Sequence, residues 1–280
     1  MANAASQIQI REIKEISELK AVEGLQKEIW GCSDLEVLSS LALIPLLEIG
    51  GVLFGAFDAD QLIGFVLGLP GFADGRLVLH SDMLAVKSEY RSRGLGYKLK
   101  LAQRERALAK GIDRITWTFD PLQSRNAHLN FAKLGVIADR YRINYYGETS
   151  SFLHQTGTDR LWVTWLLGSE RVKRRLQAPT ATVLSRELDQ IPVLLFVSEN
   201  MEPIIKDNLP SELGAIVEIP ADINVLLSES IELAIRWREA TRQVFTRLLG
   251  RGYRVEEFNI GTKGKNTAAY ILRAGPGSMS

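Results

Sequence analysis

The fold is decided by the stretch Leu84-Ala85-Val86-Lys87-Ser88-Glu89-Tyr90-Arg91-Ser92-Arg93-Gly94-Leu95-Gly96. It connects an apolar run typical of a strand to Tyr97–Lys110, a segment without proline or glycine that is typical of a helix. A glycine-containing turn here directs several backbone N–H groups into one concavity at the helix N-terminus, where anions bind. Gly94 and Gly96 leave room for phosphate oxygens because they have no Cβ atom. The stretch therefore predicts a pyrophosphate site, with positive charge from Arg91 and Arg93.

Two other kinds of phosphate-binding loop do not fit these residues. The dinucleotide-binding fingerprint needs a third glycine three residues after the second, and Leu99 stands there. The NTPase phosphate loop ends in Gly-Lys-Ser or Gly-Lys-Thr, and this loop does not. The hydrophobic pattern places strands at Arg76–Val86 before the loop and at Ile112–Phe119 after the helix. The loop therefore belongs to a strand, turn, helix and strand unit that is neither the dinucleotide-binding type nor the NTPase type.

A second segment completes a resemblance to a known family. Ser124–Leu134 is predicted to be a helix that ends at a glycine. It resembles the element Asn-x-x-Ala-x-x-Leu-Tyr-x-Lys-x-Gly-Phe of the GNAT superfamily of acyl-CoA-dependent N-acyltransferases, with Ala127, Lys133 and Gly135 in register. The same superfamily carries Arg/Gln-x-x-Gly-x-Gly/Ala, which Arg91–Gly96 matches at every fixed position.

The resemblance covers about residues 8–167 and implies an α/β (α+β) fold with a mixed, mostly antiparallel sheet. Its fourth strand, about Leu77–Val86, would diverge from the fifth, and the pantetheine arm of an acyl-CoA would pair with the exposed backbone. The pyrophosphate would lie on the loop amides, and the N–H of Leu84 would stabilise the oxyanion. Asn126 would either bond the pantetheine arm or cap its helix. The residues so assigned to acetyl-CoA or another acyl-CoA are Met83, Leu84, Val86, Arg91, Ser92, Arg93, Gly94, Leu95, Gly96, Tyr97 and Asn126.

Direct acyl transfer to an amine needs a base for the amine and an acid for the leaving thiolate. His80, Asp82 and Leu84 share one face of the predicted strand by alternation. His80 stands about where some relatives carry a glutamate base, and a histidine can take that role near neutral pH. Asp82 can act through a water molecule or bind the substrate ammonium. The alternative for both residues is a hydrogen-bonded place in the core.

The acid that many relatives use is missing from this chain. Phe131 stands where they carry the acidic tyrosine, and it has no proton to give. Tyr145 or Tyr146, in a strand predicted at Tyr141–Gly147, could replace it, or solvent could protonate the thiolate. The alternative for these tyrosines is packing within a sheet. The candidate catalytic set is therefore His80, Asp82 and Tyr146.

A second, narrower resemblance indicates which molecule receives the acyl group. Trp117–Leu122, together with His80-Ser81, resembles a bacterial GNAT subgroup with a long C-terminal extension, whose genes are associated with N-succinylamino-acid racemases. This implies acetyl or succinyl transfer to a primary amine of a small molecule, such as an amino acid. Arg140 and Arg142 could then meet its carboxylate, since guanidinium pairs bidentately with one. Asp120 could position substrate. Surface charge and a turn are the alternative roles for these three residues.

A chain of 280 residues has room for about two domains. We expect the GNAT domain at 1–168 and a smaller α/β extension at 169–280, which would serve as a lid, a dimer contact or a degenerate GNAT-like half. Within the first domain, Val52–Phe57 and Leu62–Leu69 are predicted to form a hairpin with a four-residue turn, followed by a loop at Pro70–Gly75.

Composition limits the partners. The net charge of +1 provides no overall basic field for a nucleic acid or an acidic membrane. One cysteine and three histidines cannot build a cysteine-rich zinc site, so no metal is expected. Cys32 has no disulfide partner, which fits a cytoplasmic protein, and the resemblance implies a homodimer. The competing functions are a non-catalytic acyl-CoA-binding regulatory protein and a protein adaptor that works through its C-terminal part.

Overall fold

The computed structural model describes residues 8–149, 151, 154–178, 188–207, 210–261 and 266–275. The chain divides into two compact units, Met1–Trp117 with Thr149–Gln155 and Thr118–Glu148 with Thr156–Ser280. The boundary expected after residue 168 falls inside the second unit. In the described part of the chain, no helix is both long and apolar enough to span a bilayer.

The first unit is a sheet covered by helices. Its strands lie in the order β1-β2-β3-β4-β5. Neighbouring strands are antiparallel except β4 and β5, which are parallel. The elements are β1 (Gln9–Glu12), α1 (Ile16–Trp30), α2 (Ser40–Glu48), β2 (Val52–Asp58), β3 (Gln61–Ala73), β4 (Arg76–Val86), α3 (Leu95–Ala109) and β5 (Arg114–Phe119), whose last two residues begin the second unit.

Helix α1 shows how local sequence sets these elements. Glu15 and Glu18 form a reciprocal capping box that satisfies backbone N–H groups at its start. The helix ends at Gly31, whose φ of 65° is the left-handed conformation that glycine adopts readily. Leu19 and Val22 share one face and are buried in the core cluster of this unit.

The hairpins of the first unit differ from those predicted. The loop predicted at Pro70–Gly75 is wrong, because β3 continues to Ala73 and Pro70 stands opposite Leu79 of β4. The turn consists of Asp74 and Gly75, with φ angles of 51° and 71°. Two such residues form the tight turn whose twist matches a hairpin. The turn between β2 and β3 is also shorter than predicted, since Asp58 and Gln61 already face each other.

The strands of the second unit lie in the order β7-β6-β11-β12-β10-β8-β9. Strand β10 is parallel to β8, and the other recorded pairings are antiparallel. The mixed, mostly antiparallel α/β fold class is therefore confirmed. The elements are α4 (Ser124–Ala127), a π-helical turn (His128–Leu134), β6 (Ile137–Arg142), β7 (Arg160–Leu166), α5 (Glu170–Gln177), β8 (Val193–Val197), β9 (Pro203–Ile205), β10 (Ala215–Pro220), α6 (Ile223–Glu229), α7 (Ile231–Gly250), β11 (Tyr253–Ile260) and β12 (Thr267–Ala274).

The strand predicted at Tyr141–Gly147 is displaced. The observed strand β6 ends at Arg142, and the chain then turns. Asn144 has a φ of 43°, and its backbone N–H donates to Asp159 at 3.0 Å. This hydrogen bond stabilises a turn in place of a strand. Tyr146 consequently lies in a turn.

Candidate functional site

The loop between β4 and α3 has the backbone of an anion cradle. Ser92 and Gly94 both have positive φ angles, of 64° and 75°, and Gly94 is the N-cap of α3. The first-turn amides of an α-helix have no intrahelical carbonyl partner. In α3 these include the amides of Leu95, Gly96 and Tyr97. A Cβ built at Gly94 meets no atom within 4 Å, so the space over the loop is open. A pyrophosphate fits this cradle.

The side chains beside the loop are anchored to the strand that precedes it. Arg91 Nε donates to the carbonyl of Val86 at 3.2 Å. The guanidinium of Arg93 lies over the ring of Tyr90, 5.0 Å from its centroid. Tyr90 in turn donates to a carboxylate oxygen of Asp58 at 2.6 Å. These contacts hold two cations next to the cradle at the surface, where they add to its positive potential.

Strand β4 exposes one edge along its second half. It pairs with β5 at Leu79 opposite Ile115 and at His80 opposite Thr116. After His80, the structure records no further pairing with β5 among the residues it describes. On the other edge β4 remains paired with β3 as far as Val86. We call the unpaired side from residue 81 to residue 86 the open edge of β4.

Backbone alternation orients Leu84 toward the open edge. The N–H of Lys87 donates to the carbonyl of Ile63 on β3 at 2.9 Å. Successive residues of a strand point their N–H and C=O groups to opposite edges. Ala85 therefore faces β3, whereas Leu84 and Val86 face the open edge. The N–H of Leu84 is accordingly available to an added strand or a carbonyl oxygen.

A bulge at Asp82 interrupts the alternation on which the shared-face prediction relied. Met83 stands opposite Leu67 and Ser81 opposite Gly68, so Asp82 is an extra residue in β4. Bulges bend a strand and redirect a side chain, and they recur beside active sites. Asp82 nonetheless lies close enough to His80 for each group to affect the pKa of the other.

His80 is half-buried, and its Nδ1 lies 3.0 Å from Thr116 Oγ1 on β5. Burial lowers the pKa of His80 below its ordinary value, and the carboxylate of Asp82 opposes this shift. Partial desolvation raises the pKa of Asp82, which is exposed, and His80 opposes that rise. The lowered pKa of His80 favours the neutral imidazole, and a neutral imidazole beside a carboxyl group is a combination suited to a general base.

Three predicted residues belong to the second unit. Asn126 is exposed within α4 and is not its N-cap, because Gln123 holds that position. Phe131 is fully buried between the rings of Phe119 and Tyr270. The hydroxyl of Tyr146 lies 3.1 Å from Thr118 Oγ1. Asn126 thus remains exposed for another partner, and Phe131 serves as core.

Asp120 is already occupied, so the substrate-positioning role considered for it is not supported. Both of its carboxylate oxygens accept from Arg238 of α7, at 2.8 and 2.6 Å. The side chain of Arg238 is 3% exposed and that of Asp120 is 12% exposed. This pair neutralises two charges inside the second unit, and sequence spacing could not link residues so far apart.

Replacing Arg238 with alanine is expected to lower the free energy of unfolding by about 3 kcal/mol, because Asp120 would keep a buried charge without its partner. Urea unfolding followed by circular dichroism measures the loss. Arg236→Ala is the matched control, since Arg236 forms a similar bidentate pair with Glu202 on the same helix but at the surface. We expect the control to change the unfolding midpoint little. Equal losses in the two variants would contradict the prediction.

Comparison with known protein families finds a match for part of the chain. Residues 22–136 match the model of the acetyltransferase (GNAT) family. No curated protein sequence matches the chain significantly.

Solved structures that align with the chain include a GNAT-family acetyltransferase from Streptococcus pneumoniae, with 18% identity, a TM-score of 0.47, and coverage of 58% of this chain and 100% of that chain. The ribosomal-protein-S18-alanine N-acetyltransferase from Escherichia coli aligns with 15% identity, a TM-score of 0.45, and coverage of 58% and 96% respectively. An aminoglycoside 6′-acetyltransferase type Ii aligns with 19% identity, a TM-score of 0.45, and coverage of 58% and 99%.

Proposed function

We propose that the chain is an acyl-CoA-dependent N-acyltransferase that moves an acetyl or succinyl group from the CoA thioester directly to a primary amine. The observation that carries this proposal is the open edge of β4 leading straight into the anion cradle at the start of α3. An extended arm that ends in a pyrophosphate needs both features, in this order. The match of residues 22–136 to the GNAT family model covers both of them.

Different residues of the first unit would bind different parts of the acyl-CoA. The amides of the cradle and the cations of Arg91 and Arg93 would hold the pyrophosphate. The open edge would pair with the pantetheine arm, and Arg91 would have to leave the carbonyl of Val86 if that carbonyl took part. The N–H of Leu84 would donate to the thioester oxygen as negative charge develops. Acyl-CoA itself supplies the activated carbonyl.

His80 would take the proton of the attacking amine. Its lowered pKa keeps it neutral, and therefore able to accept a proton, at pH 7. Asp82 would attract the ammonium form of the acceptor to the site and stabilise the imidazolium that forms. Transfer then breaks the C–S bond, forms the C–N bond, and leaves a thiolate that needs a proton. Phe131 cannot donate one, so we assign that step to Tyr146 or to solvent.

The acceptor that we favour is a small molecule such as an amino acid, with Arg140 and Arg142 available to its carboxylate. Arg142 is exposed, and Arg140 lies 5.0 Å over the ring centre of Trp162. The C-terminal extension at 169–280, the association with amino-acid racemases, a cytoplasmic location and a homodimer belong to the same proposal, and they rest on the sequence resemblance.

Binding of CoA esters tests the proposal first. Thermal shift and titration calorimetry with CoA, acetyl-CoA and succinyl-CoA should show stabilisation of the folded protein, because a ligand that binds only the native state raises its melting temperature. Thiol release is then followed with a panel of amines and amino acids. A folded protein that binds none of the three compounds overturns the proposal.

A second function is favoured by one observation. Phe131, at the position of the usual acid, is fully buried and has no hydroxyl. A chain that has lost its acid could retain acyl-CoA binding as a regulatory or adaptor protein. Tight binding of acetyl-CoA or succinyl-CoA with no thiol release across the amine panel would select this function over acyl transfer.

A further inference from the structure

Lys100 is a buried lysine in the middle of helix α3, and its side chain has no role in the site described above. Its exposure is 2%. Its Nζ lies 2.6 Å from Ser81 Oγ on β4 and 3.7 Å from the ring centre of Trp117 on β5. A third, longer contact joins Nζ to Gln103 Oε1 at 3.4 Å. One amine therefore contacts both strands that line the start of the open edge.

These contacts lie where β4 and β5 stop pairing. The last recorded pair is His80 with Thr116. Ser81 and Trp117 are the next residue of each strand, and they are the two that Lys100 contacts. The amine of Lys100 thus contacts a side chain of each strand at the point where their recorded pairing ends. On the neighbouring strand, Gly68 faces Ser81, and a Cβ there would come within 2.8 Å of Gln103 Nε2.

The surroundings of Lys100 contain polar partners but, among the described residues, no counter-ion. No carboxylate forms an ion pair with it within the described ranges. Burying an unpaired ammonium is costly, so burial lowers its pKa well below the ordinary value. The Nζ donates to Ser81 Oγ, lies within reach of the Gln103 carbonyl oxygen and faces the indole ring of Trp117. The amine is therefore satisfied without a counter-ion.

We infer that Lys100 is a positioning residue for acyl transfer: its amine links Ser81 of β4 to Trp117 of β5 at the end of their pairing, and so fixes where the open edge begins. The inference rests on the proposed function, because the open edge is the surface offered to the pantetheine arm. Lys100 acts through the strand and touches no reacting atom. Its link also restrains the strand next to His80, whose Nδ1 is held by Thr116 across the same pair.

The test replaces Lys100 with methionine, which keeps an unbranched side chain of similar length but removes the amine. Apolar replacements of similar shape are often tolerated at buried ionisable groups, so the variant should fold, and urea unfolding checks this. We expect kcat/KM for the acyl-CoA to fall about a hundredfold, because a small displacement of the bound arm has that effect on rate. The KM for the amine should stay unchanged. Ser81→Ala should give a smaller loss in the same direction.

Lys110→Met is the matched control, since Lys110 is exposed at the C-terminal end of the same helix. Its kinetics should equal those of the wild type. Amide hydrogen exchange supplies a readout that needs no ligand, and in Lys100→Met we expect faster exchange at residues 79–81 and 115–117. A folded Lys100→Met protein with wild-type kinetics and exchange overturns the inference. A wild-type protein that binds no acyl-CoA overturns the proposed function instead, and the exchange comparison still decides whether Lys100 links the strands.

Discussion

Replacing Gly94 with glutamate is expected to weaken acyl-CoA binding about a thousandfold while the protein stays folded. The new Cβ meets no atom within 4 Å, so the substitution creates no clash. Its carboxylate would stand at the N-cap of α3, where the pyrophosphate is proposed to lie. Two like charges forced together cost several kcal/mol, and each 1.4 kcal/mol is about a factor of ten in affinity. Titration calorimetry with acetyl-CoA measures the loss.

Gly75→Glu is the matched control for this variant. Gly75 also has a positive φ, of 71°, and open space around its missing Cβ, but it lies in the turn before β4. Both variants carry the same backbone strain and the same added charge. We expect Gly75→Glu to bind acetyl-CoA as the wild type does. Gly94→Glu with undiminished affinity would show that no phosphate lies at the loop.

The second large effect is expected at His80. Its replacement by alanine should lower kcat about a thousandfold and leave the Kd of acyl-CoA unchanged, because a positioned general base contributes roughly 10²–10⁴ to the rate. Steady-state thiol release gives kcat, and calorimetry gives the Kd. His80→Gln serves as the control for size and hydrogen bonding to Thr116, and it should be nearly as slow. A variant that keeps full turnover would remove His80 from the mechanism.

The pH dependence of the reaction should identify the base. A base works only when it is unprotonated, so kcat/KM should rise with pH through the pKa of His80 and become level above it. Burial lowers that pKa, which puts the rise below the ordinary histidine range. The Asp82 carboxylate raises the pKa of His80, so Asp82→Asn should move the rise to still lower pH. Movement to higher pH would show that another group titrates.

The sequence predicted the elements whose signals are local. Helix α1 has such signals at both ends, a capping box at its start and a glycine at its end. Strand β4 matches its prediction, Arg76–Val86. The sequence predicts a loop at Pro70 because proline usually interrupts a strand, yet here Pro70 lies inside β3. The second half of the helix predicted at Ser124–Leu134 winds as a π-helical turn, and periodicity carries no signal for that change.

The sequence predicts the position of the anion-binding loop better than it predicts the arrangement of the side chains around it. The loop from Arg91 to Gly96 is encoded by consecutive residues, so its position followed from the sequence. The bulge at Asp82 and the divergence after His80 depend on how three strands meet, and one strand alone does not encode them. The loop and strand patterns do not single out Lys100, although Gln103 and Ala107, on the same helical face, are also buried. Its helical spacing from them was the available signal.

The aromatic cluster of the second unit has a consequence for the newly made chain. Phe131 is packed against Tyr270, whose hydroxyl reaches the carbonyl of Pro121, 149 residues away in sequence. A ribosome adds about 5–20 residues per second. Phe131 would therefore be synthesised roughly 7 to 30 s before Tyr270, and its ring would lack this packing partner during that time. During that interval its apolar face is open to chaperones and to other nascent chains. Slow translation should therefore reduce the soluble yield, whereas a supply of holdase chaperone should restore it.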